Sequence, residues 1–218
     1  NNGKIIIGDK GHGALLGGQI SNAGIVSARL GKIALGAGEK ITLDFVGDGL
    51  MSVSVPSEKL GIIKDINGNT LKSLISNSGL LKANGGIIKL SAATAKSLSR
   101  SSVNIGSSGL IIARSVNDKT GKVVIGSPTN EKIKIAGKID VSGHRSLTPS
   151  GTIIVRGRSV THNGKIFARG GTGGKVNIIS KDTLKLDGSI FAQGTKEKGG
   201  SVLFLSEKSI SSTPKTVV

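Results

Sequence analysis

Gly137-Lys138-Ile139-Asp140-Val141-Ser142-Gly143 is followed by Gly164-Lys165-Ile166-Phe167-Ala168-Arg169-Gly170, and then by Gly188-Ser189-Ile190-Phe191-Ala192-Gln193-Gly194. The leading glycines stand 27 and 24 residues apart (137 to 164, 164 to 188). Each heptad is trailed by a second apolar run: Gly151-Thr152-Ile153-Ile154-Val155, Gly174-Lys175-Val176-Asn177-Ile178 and Gly200-Ser201-Val202-Leu203-Phe204. A third run precedes each marker glycine, in Ile133-Lys134-Ile135-Ala136, Val160-Thr161-His162-Asn163 and Leu184-Lys185-Leu186-Asp187. Three short β-branched strands in a unit of about 25 residues is the period of a solenoid.

Looser copies extend the repeat toward the N-terminus. They are Gly24-Ile25-Val26-Ser27-Ala28 with Gly31-Lys32-Ile33-Ala34-Leu35, Ser78 to Ala83 with Gly86-Ile87-Ile88-Lys89-Leu90, and Gly109 to Ala113 with Gly121-Lys122-Val123-Val124-Ile125. No single coil can bury its apolar side, because three strands around a column have nothing above or below them until the next coil stacks. The reading is therefore an all-β chain: one right-handed, single-stranded parallel β-helix over 1–218, with three strands per coil. Period-2 alternation points Ile139, Ile166 and Ile190 inward as one ladder and Ile153, Val176 and Val202 as another. It puts Lys134, Lys138, Lys165, Lys185 and Arg156 outside. About eight coils rising roughly 4.8 Å each give a rod on the order of 40 Å long. The polar stretch 57–76 and the non-alternating stretch 91–104 are expected to be insertions.

Composition agrees. Hydrophobic residues make up 36% of the chain and aromatics only 2%, so Ile, Val, Leu and Ala must form a thin, regular core. Gly 34 against Pro 4 implies many tight corners. Zero cysteines exclude disulfides and thiolate metal sites. The net charge of +17 favours acidic partners, although the lysines are spread along the chain rather than clustered. No apolar run reaches the roughly 18 residues of a membrane-spanning helix. Asn1-Asn2-Gly3-Lys4 has no signal-peptide pattern, so the chain reads as an internal part of something longer.

Three blocks carry a family resemblance: Gly38 to Leu50, Ala83-Asn84-Gly85-Gly86 leading through Ser91 to Asn104, and the coils from Gly137 onward. They resemble the filamentous haemagglutinins exported by two-partner secretion, the first two being similar to the later part of the haemagglutination-activity domain and the region after it. The resemblance implies a secreted or surface-associated bacterial exoprotein, an outer-membrane transporter as export partner, and a role in adhesion, haem-carrier capture or contact-dependent toxin delivery. The family's transporter-recognition motifs contain Asn-Pro pairs. Here Pro56, Pro128, Pro149 and Pro214 follow Val55, Ser127, Thr148 and Thr213, so no transporter-binding residue is assigned.

A polysaccharide lyase needs converging carboxylates and a basic proton acceptor; Asp140 and Asp187 belong to different strands of their coils, and Asp182 lies nearer the preceding turn. His12, His144 and His162 have no metal-ligand spacing. His162 aligns with Ile135 and Leu186, which predicts a neutral ring pointing inward and bonded to a backbone group. Gly170-Gly171-Thr172-Gly173-Gly174-Lys175 lacks the Gly-Lys-Ser/Thr ending of a phosphate loop, and lacks the aspartate of calcium-binding nonapeptides. No catalytic residue, metal site or cofactor is expected, and nucleic acid lacks a helix or aromatic platform to meet it. Phe167 and Phe191 fall outward at equivalent positions of adjacent coils. With Lys165 and Arg169 beside them, they are the candidate contact residues for an anionic glycan or cell-surface receptor, packing beneath the loop 144–150 being the competing role.

Overall fold

The computed structural model describes residues 1–38, 40–43, 51–54, 73–92, 101–126, 131–143, 148–196 and 198–213. Every described element is a strand, most of them carrying alternating Ile, Val or Leu, in chain order β1 (Lys4–Ile7), β2 (His12–Gly17), β3 (Ile20–Asn22), β4 (Ile25–Ala28), β5 (Lys32–Ala37), β6 (Lys40–Leu43), β7 (Met51–Ser54) and β8 (Ser73–Asn77). Then follow β9 (Leu80–Lys82), β10 (Ile87–Ala92), β11 (Ser101–Ile105), β12 (Leu110–Ile112), β13 (Lys122–Ile125), β14 (Lys132–Ile135) and β15 (Lys138–Asp140). The last six are β16 (Thr152–His162), β17 (Lys165–Phe167), β18 (Lys175–Leu186), β19 (Ser189–Phe191), β20 (Ser201–Ser206) and β21 (Ser209–Ser212).

These strands wind into a parallel β-helix with three faces. Face A is the 7-stranded ladder β1-β4-β9-β12-β15-β17-β19. Face B runs β2-β5-β10-β13 and continues through the first halves of β16 and β18 to β20. Face C runs β3-β8-β11-β14 and continues through their second halves to β21. In coils 5 and 6, faces B and C are thus one continuous strand. The chain bends between them at a register shift, Gly157/Ser159, instead of at a turn.

Inside, the expected ladders are in register: Ile139 on Ile166 on Ile190, and Ile153 on Val176 on Val202. The first continues downward through Ile111, Leu81, Val26 and Ile5. The interior is one aliphatic cluster from Ile20 to Ile190, with Ile5, Ile7, Leu15, Val202 and Phe204 only partly buried at its two ends. Close-packed aliphatic columns suit a parallel sheet because each side chain finds its equivalent one rung away. A glycine ladder marks the corner before face A. A Cβ on Gly164 would run into the carbonyl oxygen of Gly137, so coils approach there more closely than any other residue permits.

At the corner from face C to face A the first coils carry a ladder of amides. Asn1 donates to Asn22 Oδ1 at 2.9 Å, Asn22 donates to Asn77 Oδ1 at 2.7 Å, and Asn77 donates to the Gly79 carbonyl at 3.2 Å. Higher up, the same column holds Ile105, Ile135, His162, Leu186 and Ser212.

Three expectations change. Among the described residues there are seven coils and not about eight, because Asn22 and Asn77 are adjacent rungs although 55 residues apart. Between them β6 and β7 pair antiparallel, off the parallel ladder, and the rod shortens to about 30 Å. The insertions are narrower than expected: Ser73 to Ser76 belong to β8, Ser91 and Ala92 to β10, and Ser101 to Asn104 to β11. The apolar residues Leu74, Ile75, Ala92 and Val103 hold these segments in the stack, and 57–72 and 93–100 lie outside the described residues.

Candidate functional site

Face A places Phe167 and Phe191 at the third position of β17 and β19, pointing away from the core because Ile166 and Ile190 before them point into it. One rung separates them. Their centroids are 5.1 Å apart and the ring planes differ by 16°, a stacked pair. Arg169 lies over both, its guanidinium carbon 4.3 Å from the Phe191 centroid and 5.2 Å from that of Phe167. Lys165 is exposed on the same outer face. The ammonium held over Phe167, at 4.6 Å, belongs instead to Lys138 one coil below. Each ring is thereby engaged by its neighbour and by cations, and the patch presents mainly guanidinium and ammonium groups.

Asp140 continues the same outward column, paired with Phe167 above and Ile112 below. Its side chain is 3% exposed. Arg114 binds one carboxylate oxygen at 2.7 Å and 3.1 Å, Lys138 stands 3.6 Å away, and the Ser142 amide donates to the other oxygen at 3.0 Å. Burial pushes this carboxyl up, but the Arg114 hydrogen bonds and charge, together with Ser142, hold it below the usual carboxylate range. Asp140 is therefore an anchor that orients two cations rather than an acid available for proton transfer. Of the contact residues expected from sequence, the structure brings Phe167, Phe191 and Arg169 together. Arg114, Lys138 and Asp140 were missed, although a signal existed: Ala113-Arg114 follows Ile111-Ile112 as Ala168-Arg169 follows Ile166-Phe167. Of the loop 144–150, residues 144–147 lie outside the described residues.

His162 is buried in the inward column between Ile135 and Leu186. Burial lowers its affinity for a proton, partly opposed by the backbone of Ser189, so the ring is neutral at pH 7. The expected backbone hydrogen bond is not made with good geometry at either ring nitrogen. The backbone of Ser189 is the polar group beside the ring, and aliphatic neighbours stand above and below it in the column. His144 lies outside the described residues. Asp182 sits between the two halves of β18 with Arg158 and Lys208 on its carboxylate, which hold it down to about 2. Gly170 to Lys175 runs directly from face A into β18, and Gly174 donates to the Ala168 carbonyl at 2.9 Å. Among the described residues, no three His, Asp or Glu side chains converge as metal ligands would. No family model and no curated protein matches the sequence.

Proposed function

We propose that this chain is a noncatalytic shaft of a large bacterial exoprotein of the filamentous haemagglutinin kind, exported by two-partner secretion through an outer-membrane transporter and working at the cell surface. The observation that carries the reading is the unbroken inward ladder from Ile5 to Ile190, one residue per coil through all seven coils. Such a column supplies length and stiffness without a moving part. Attachment falls to face A. Arg114 and Lys138 hold the one carboxylate, Asp140, Lys138 and Arg169 lie over the phenylalanine pair, and exposed Lys165 adds to an excess of positive charge. Sulfated or carboxylated glycans fit that surface, with affinity that weakens as salt screens it.

A glycan array and binding to intact cells test the reading. Wild type should retain anionic glycans, and Arg169→Gln, Phe167→Ala and Phe191→Ala should each weaken retention several-fold. Equal retention by all four proteins would remove face A from the function. Cleavage of a polyanionic polysaccharide by the pure protein would replace the shaft with a lyase.

A further inference from the structure

Face B changes character along the rod. On coils 2 and 3 its outward positions Ala34, Gly36 and Ser91 are buried, and β7 packs against β5 and β10. On coils 4 to 7 the equivalent column carries Val124, Ile154, Asn177 and Leu203, and the next carries Arg156, Ile179 and Leu205. Val124, Ile154 and Ile179 are half-buried, and Leu203 and Leu205 continue the two columns onto the last described coil. A contiguous aliphatic strip on a flat sheet face marks a surface that something else covers.

Cations frame the strip. Lys175 stands on one margin in the outward column that also holds Lys122, Lys181 stands on the other, and Arg156 closes the column of Ile179 and Leu205 from below. Arg158 and Lys208 are paired with Asp182, but among the described residues Arg156, Lys175 and Lys181 make no ion pair. At the bend between faces B and C, Arg156, Gly157, Ile179, Ser180, Lys181 and Glu207 line an open groove of about 360 Å³. Glu207 is the one acid on its rim, and the two cations outnumber it.

We propose that face B of coils 5 to 7 docks onto an anionic lipid surface. Headgroup phosphates lie against Arg156, Lys175 and Lys181, while Ile179, Leu203 and Leu205 reach the margin of the acyl chains. The arrangement of aliphatic centre and unpaired cationic rim selects this occupant. A second copy would set the same three cations against themselves on chains that each carry +17. The strip holds one amide, Asn177, and no ring, so a sugar finds little to stack on or bond. This surface is separate from face A, and neither reading depends on the other.

Co-sedimentation with phosphatidylcholine vesicles, with and without phosphatidylglycerol, tests the proposal at low and moderate salt. Binding is expected only with phosphatidylglycerol. Arg156→Gln, Lys175→Gln and Lys181→Gln should each reduce it about fivefold, and Leu203→Ser with Leu205→Ser should reduce it about tenfold with every charge intact. Combining those three charge changes should abolish binding, whereas the triple variant Lys4→Gln, Lys82→Gln, Lys134→Gln removes the same net charge from faces A and C and should keep most of it. The proposal is overturned by any of four outcomes: no binding to anionic vesicles at low salt, equal loss in the two charge triples, self-association that consumes face B without vesicles, or binding to a sulfated polysaccharide that depends on Leu203 and Leu205.

Discussion

Asn22 in the first coil, Asn77 in the second and His162 in the fifth occupy the same inward column, yet the amides are bonded along the axis and the imidazole is not. An amide carries a donor and an acceptor on opposite atoms, so identical residues one rung apart satisfy each other and propagate. An imidazole between Ile135 and Leu186 has no like neighbour. The lower coils therefore hold this corner by a polar network and the upper ones by aliphatic packing, with His162 a weak point in the latter. A solenoid is only as uniform as the chemistry of each column.

The largest perturbation should come from the column that both regions share. Ile166→Ala, in the fully buried centre, is expected to cost about 2–5 kcal/mol in urea unfolding, whereas Ile5→Ala at the partly exposed first rung should cost under about 1 kcal/mol. Similar losses at both would mean that the ends are covered as well as the middle. Next comes the amide ladder. Asn77→Ala strands the buried Asn22 amide and should lose about 1–3 kcal/mol, part of which returns in the double variant Asn22→Leu, Asn77→Leu.

His162 gives a smaller effect with a definite sign. The folded ring binds its proton less tightly than the unfolded one, whose ordinary value is 6.5, so this contribution to stability is full above that pH and declines as pH falls through and below it. His162→Leu should flatten that decline in Tm and add about 1 kcal/mol at neutral pH; an unchanged slope would mean that the ring is solvated. Smallest of all, Arg169→Ala should lose about 0.5–1 kcal/mol, and a double-mutant cycle with Phe191→Leu should attribute most of it to the ring contact.

Strand register was legible because alternation and marker glycines recur together: Ile139, Ile166 and Ile190 are aligned by spacing alone, and so is the burial of His162. The fusion of faces B and C was not. By sequence Gly151 to Val155 and Val160 to Asn163 are separate runs, and only the partner strands reveal that they join through Arg156 to Ser159 with one shifted register. Asn22 and Asn77 sit in the matching tetrads Ser21-Asn22-Ala23-Gly24 and Ser76-Asn77-Ser78-Gly79, but the length between them hid the equivalence. Which lysine covers Phe167 depends on the conformation of two long side chains, Lys138 and Lys165, that alternation treats alike.

Adjacent rungs are linked by 21 residues between Asn1 and Asn22, by 55 between Asn22 and Asn77, and by 24 between Arg158 and Asp182. All three steps advance the rod by a single strand spacing. Extra chain inserted at a corner therefore widens the molecule without lengthening it, and the reach of the shaft is independent of the cargo it carries along its sides. A foreign peptide grafted between β5 and β8 should leave the height of the stack unchanged, whereas the same number of residues added as a whole coil would raise everything above it by one step.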